Sequence, residues 1–175
     1  VVRYALRPQE GYPHFFILAS GKSGITDAQG LKGVEIGVSQ GTIIEYVTER
    51  LLKTQGLAPD EIKTIAVPKI PDRMALLGSG ELAAGVLPDP LASLAMSQGA
   101  VNVLDDSMNP EYGFSVYSFR KDVIDNNPAA VKAFLAAIEE AKELINADAS
   151  KYTSLLSDKG LVPPPLLETF NIPPF

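Results

Sequence analysis

Three turns hold the polar groups best placed for chemistry: Ser39-Gln40-Gly41-Thr42, Pro68-Lys69-Ile70-Pro71 and Leu87-Pro88-Asp89-Pro90. Each lies between an apolar, strand-like run and a helical pattern, and the first is the richest. Gly41 lets a ligand approach the backbone with no side chain in the way. Ser39 and Thr42 supply hydroxyls that donate or accept. A helix starting at Thr42 supplies free amides and partial positive charge, which suit an anionic group. One such dipole contact contributes roughly 0.3–1 kcal/mol when exposed, so a grip on a ligand needs a second wall. The competing reading is plain capping. Thr42-Ile43-Ile44-Glu45 matches the capping-box pattern, which would occupy the Thr42 hydroxyl. Asp89 poses the same choice, with an N-cap before a proline at the first helical position favoured over a free carboxylate. Pro88 and Pro90 stiffen that turn either way. Lys69 and Arg73 could attract an anion, but solvated surface charge is the favoured reading.

Groups that make and break bonds are scarce. The chain has no cysteine and a single histidine, His14, which excludes thiolate nucleophiles, thiolate metal sites and a histidine-rich metal centre. No G-x-G-x-x-G follows a strand, and no G-x-x-x-x-G-K-[ST] occurs. Asp105-Asp106 is a carboxylate pair, but adjacent strand-end residues point to different sides, so it reads as a solvated loop. His14 reads as a polar residue at the entry to a strand. No catalytic residue, metal or cofactor is expected. The net charge of −6 over 175 residues argues against nucleic acid and against anionic membranes.

The elements that position these turns follow from periodicity. Residues 34–38, 62–67, 82–87 and 100–104 read as strands. Helical patterns over 42–55, from Pro71 to Gly78 or Gly80, and from Asp89 to Gly99 separate them. Strands alternating with helices imply right-handed βαβ crossovers and a mainly parallel, doubly wound sheet. In such sheets ligands sit beyond the carboxyl ends of the strands. Residues 15–19 and 114–119 also read as strands, and their flanking positions suit a two-strand hinge. Asn127-Pro128 opens a long helix with Val131, Phe134, Leu135, Ile138, Ala141 and Ile145 on one apolar stripe. Pro163-Pro164-Pro165 reads as an extended linker or packed loop.

Three runs carry a family resemblance. Gln29-Gly30-Leu31-Lys32-Gly33-Val34-Glu35-Ile36-Gly37-Val38-Ser39-Gln40-Gly41-Thr42 resembles the "D-L-K-G-K-x-I-A-V-x-x-G-[ST]" stretch of solute-binding proteins of ABC importers. The run from Leu76 through Gly80 to Pro90 resembles their "A-L-x-S-G-x-V-D-A-A-V-L-P-E-P", and that from Asp122 to Leu135 resembles "D-F-I-x-K-N-P-E-x-V-K-A-F-L". The branch is the one that binds sulfonates, taurine, nitrate and thiamine precursors. Two departures stand out: Leu82 replaces the usual acid, and Asp89 replaces the usual glutamate.

The resemblance implies an α/β, type II periplasmic-binding-protein-like fold with one complete lobe plus part of a second. Residues 1–19 would end lobe one and form the first hinge strand. Residues 20–107 would form lobe two, and 108–175 the second hinge strand and the return to lobe one. The N-terminal half of lobe one would precede this chain, which opens on Val1 rather than Met. The implied function is capture of a small anionic or heterocyclic metabolite for an importer's membrane subunits, in the periplasm or at an extracytoplasmic membrane anchor. Ser39, Gln40, Gly41, Thr42, Pro88 and Asp89 are the expected ligand-binding residues. An exposed partial lobe would favour self-association. The alternatives are an enzyme on the same fold, of the thiamine-pyrimidine synthase or menaquinone-pathway kind, and the effector domain of a LysR-type regulator.

Overall fold

The computed structural model describes residues 2–175. Seven strands follow in chain order: β1 (Arg3–Leu6), β2 (Phe15–Ala19), β3 (Glu35–Val38), β4 (Lys63–Ala66), β5 (Ala84–Pro88), β6 (Val101–Asp105) and β7 (Ser115–Tyr117). The α-helices are α1 (Ile43–Thr54), α2 (Ile70–Ser79), α3 (Leu91–Ser97), α4 (Lys121–Asn126), α5 (Pro128–Ala147) and α6 (Thr153–Asp158). They divide between two compact units. Pro8–Gly113 forms one, and the residues through Arg7 join Phe114–Phe175 in the other.

The Pro8–Gly113 unit is a five-stranded sheet of order β4-β3-β5-β2-β6. β3 pairs in parallel with β4 and β5, while β2 runs antiparallel to β5 and β6. Four strands therefore point one way and β2 points the other. The expected mainly parallel sheet is present, but the expected hinge role of residues 15–19 is corrected. β2 is buried along its whole length and hydrogen-bonded on both sides. A run of five apolar residues with no polar face belongs in the middle of a sheet covered on both faces.

Each face of the sheet has its own core. Ile17, Ile36, Val38 and Val86 pack with Ile44, Val47 and Leu51 of α1. Phe16, Leu18 and Leu87 pack with Leu77 of α2 and Ala92 and Ala95 of α3. The apolar positions of α1 recur at helical spacing, and Gly56 (φ 84°) follows its end. α2 stops where Gly80 turns left-handed and its amide bonds Leu76 and Leu77 carbonyls, a conformation that favours glycine.

One feature of the α2 face is chemically unusual. Gly37 of β3 and Gly85 of β5 are paired across the ladder, and the stem of Arg73 crosses them. A Cβ on Gly85 would stand 3.2 Å from Arg73 Cγ and 3.1 Å from Leu82 Cδ2; one on Gly37 would stand 2.7 Å from Leu82 Cδ2. The two glycines form a shallow channel that Arg73 and Leu82 fill together.

In the other unit β1 and β7 pair antiparallel, and Arg3 forms an ion pair with Glu139 of α5. Phe134 packs edge-on against Tyr117 and Phe119, with centroids 5.7 and 5.5 Å away. Of α5 only Val131 is buried, and Phe134 and Leu144 remain exposed. The triple proline is not simply extended: Pro164–Leu166 forms a 3-10 turn, with Val162 and Leu166 buried. Prolines fit there because the first turn of a helix has no internal partner for their missing amides.

The glycine channel makes a direct prediction. Gly85→Ala must push aside the Arg73 stem or Leu82, and is expected to cost about 1–3 kcal/mol in urea denaturation. A neutral substitution would show that the channel has slack.

Candidate functional site

The carboxyl ends of β3, β4 and β5 lie on one edge of the sheet, because the three strands are parallel and in register. The Ser39–Thr42 loop and the Pro88–Asp89 turn follow β3 and β5, so both emerge at this edge. The start of β2 lies there too: Phe15 stands opposite Pro88, and Phe16 opposite Asp105. The six residues singled out in the sequence are thus brought to one edge.

Most of their polar groups are already engaged. Thr42 is the N-cap of α1: its hydroxyl accepts from the Ile44 amide (3.2 Å) and donates to the Ser39 carbonyl (2.6 Å). Glu45 reaches back to the Gly41 amide (2.8 Å) and accepts from the Thr64 hydroxyl (3.1 Å). The loop therefore carries a carboxylate of its own at the helix start. Gly41 has φ 72°, the left-handed conformation that makes glycine the natural residue there. Gln40 is exposed. Ser39 donates to the Pro68 carbonyl (3.1 Å) and accepts from Arg73 (2.6 Å).

Asp89 does not occupy the N-cap position. Pro90 does, after a cis Asp89–Pro90 peptide, and α3 begins at Leu91. The Asp89 carboxylate still serves the helix start, accepting from the Ser93 amide (3.0 Å) and hydroxyl (2.8 Å). Burial raises its pKa, and the Ser93 bonds partly oppose that.

Arg73 is the largest correction at this edge. It is not a solvated charge but fully buried. Nε donates to the Val67 carbonyl (3.0 Å), one terminal nitrogen to Val67 (2.7 Å) and Ser39 Oγ (2.6 Å), and the other to the Val86 carbonyl. One guanidinium thus ties the ends of β3, β4 and β5 together. Desolvation lowers its pKa to about 10, so it stays charged at neutral pH. The sequence did carry a signal: Arg73 lies four residues before buried Leu77, on the inward face of α2.

Asp106 is the second correction. It is fully buried rather than solvated. Its Oδ1 accepts from the amides of His14 (2.7 Å) and Phe15 (3.1 Å), fastening the start of β2 to the end of β6. Oδ2 and His14 Nδ1 are buried without a hydrogen-bond partner among the described residues. Desolvation pushes the Asp106 pKa up to about 6 and lowers that of His14. Asp105 instead bonds Ser107 and Asn102 at the surface.

A separate concavity of ≈ 220 Å³, whose lining includes Lys22, Met74, Leu77 and Gln98, lies at the opposite edge of the sheet. It adjoins Ser20 and Ala100, beyond the end of β2 and before the start of β6. No strand delivers its carboxyl end there except the reversed β2.

Comparison with known proteins places this geometry in context. The description of the NMT1-like family matches residues 18–155. A protein of Escherichia coli (strain K12) named for binding aliphatic sulfonates is 27% identical over 155 residues, covering 88% of this chain and 48% of its own length. The alkanesulfonate-binding protein of Xanthomonas axonopodis pv. citri, bound to MOPS, superposes with a TM-score of 0.76 at 21% identity, covering 95% of this chain and 57% of the other. The periplasmic aliphatic sulphonate binding protein of Escherichia coli gives 0.71 at 24% identity with the same coverage. The fold is therefore that of type II periplasmic binding proteins, and the chain spans about half the length of these relatives. A desulfurization enzyme shares the fold too, at a TM-score of 0.64 and 19% identity.

Two outcomes follow from the hydrogen bonds. Thr42→Ala should cost about 1 kcal/mol of stability through the lost cap, measured by urea denaturation. Asp106 holds its proton more tightly folded than unfolded, so its contribution is greatest below about pH 4 and is lost as pH rises through about 6. Asp106→Asn should therefore stabilise the protein at pH 7 relative to pH 4, by about 2–3 kcal/mol against the wild type. Parallel stability curves for the two proteins would contradict this.

Proposed function

The chain belongs to the NMT1-like family, and from that premise we propose that it forms part of the solute-binding component of an ABC importer. It works outside the cytoplasm, in the periplasm or at a membrane anchor. The ligand is a small organic anion of the sulfonate type, and the importer's membrane subunits are the partners. The names of the relatives support the ligand class: two bind aliphatic or alkane sulfonates by name, and MOPS is itself a sulfonate.

The observation that carries this reading is the meeting of the Ser39–Thr42 loop and the Pro88–Asp89 turn at one sheet edge, beside the positive end of α1. Ser39, Gln40, Gly41, Thr42, Pro88 and Asp89 are the proposed contact residues. The amides of Thr42 and Ile43 at the helix start, with the Gln40 side chain, are the donors left for an anion once the internal bonds are made. The internal bonds hold the loop fixed before ligand arrives, which lowers the entropy lost on binding. No bond need be made or broken at this edge. Ligand would favour the gripping conformation by as much as its affinity differs between conformations. Phe134, exposed on the apolar stripe of α5 beside Leu135 and Ile138, supports self-association of this chain through that face.

Calorimetric titration of the full-length protein with short alkanesulfonates tests the reading. Saturable one-to-one binding, weakened at least tenfold by Gly41→Val, is the expected result. Absence of binding to every sulfonate, sulfate ester and sulfonated buffer tried would overturn it.

A further inference from the structure

The proposed site has a charge imbalance, and resolving it identifies a further residue. Glu45 places a carboxylate on the Gly41 amide, inside the loop that would receive the anion. That charge repels an anionic ligand. Behind the loop lies Arg73, fully buried, with Val67 O, Val86 O and Ser39 Oγ as its partners. All three are uncharged, and among the described residues Arg73 joins no ion pair. A buried charge without a counter-ion is costly. The three acceptors could be served by a neutral donor, so hydrogen bonding does not by itself require a cation.

Leu82 sharpens the point. It packs at the same two glycines as the Arg73 stem, within reach of Gly37 and Gly85. The stem of Arg73 is thus walled by an aliphatic side chain, and among the described residues no carboxylate pairs directly with its guanidinium.

From this we infer that Arg73 is a positioning and charge-selecting residue of the ligand site. It holds the Ser39 hydroxyl, and through it the first residue of the loop, while its charge offsets Glu45 and makes the edge receptive to an anion. The inference rests on the function proposed above. It goes further by assigning the preference for a negative group to a residue that need not touch the ligand. Arg73 acts through Ser39 and through its field, which the low-dielectric surroundings screen weakly.

The test compares an alkanesulfonate with the uncharged sulfonamide of the same chain length, using the full-length protein. The wild type should prefer the sulfonate. Arg73→Lys should keep most of that preference, because it keeps the charge. Arg73→Gln should weaken sulfonate binding about tenfold or more while changing sulfonamide binding less than about threefold, collapsing the ratio. A merely structural role would weaken both ligands together and leave the ratio intact; that result overturns the inference while the binding function stands. Failure of the wild type to bind any sulfonate overturns the function and the inference with it. Should Arg73→Gln not fold, the nitrogen resonance of Arg73 Nε in the wild type gives the answer. A shift on titration with sulfonate but not with sulfonamide supports the inference, and no shift with either overturns it.

Discussion

The guanidinium of Arg73 is the interaction on which this edge of the protein depends. Parallel strands deliver their carboxyl ends to one side of a sheet, but nothing in strand pairing fixes the loops that follow. Here a single side chain does so, bonding the ends of β4 and β5 through Val67 and Val86 and the loop after β3 through Ser39. Its route is set by an absence of side chains. Gly37 and Gly85, paired across β3 and β5, leave space through which the Arg73 stem runs along that face. The glycines, the arginine and the loop geometry are therefore one device, spread over nearly fifty residues of sequence.

The same economy governs the loop itself. Thr42 was weighed between capping and ligand binding, with Glu45 as its capping-box partner. In the structure the Thr42 hydroxyl and the Glu45 carboxylate are engaged internally and occupy the Ile44 and Gly41 amides. A grip through the remaining main-chain amides, as proposed, would take its precision from α1 and its cap. Asp89 behaves alike, holding Ser93 at the start of α3.

Much of this was legible in the sequence. β3, α1, β4, β5 and β6 fell close to their expected places because apolar periodicity and glycine stops agree locally. The residues expected at the ligand edge do share one edge. What escaped was long-range. β2 was read as a hinge because Gly, Pro and Ser border it, yet its unbroken apolar run already spoke for a central strand. Its reversed direction depends on pairings with β5 and β6, more than sixty residues on, that no local pattern encodes. Arg73 and Asp106 were read as solvated because charged residues usually are. Their burial depends on the glycine channel in one case and on the amides of His14 and Phe15 in the other.

The central claim is that ligand binds at the carboxyl edge, against the start of α1. Amide chemical-shift mapping of the full-length protein with a saturating alkanesulfonate tests it most directly. The account predicts the largest changes at residues 39–43 and 88–93. Changes gathered instead around Lys22, Gly78 and Gln98, at the opposite edge, would contradict it.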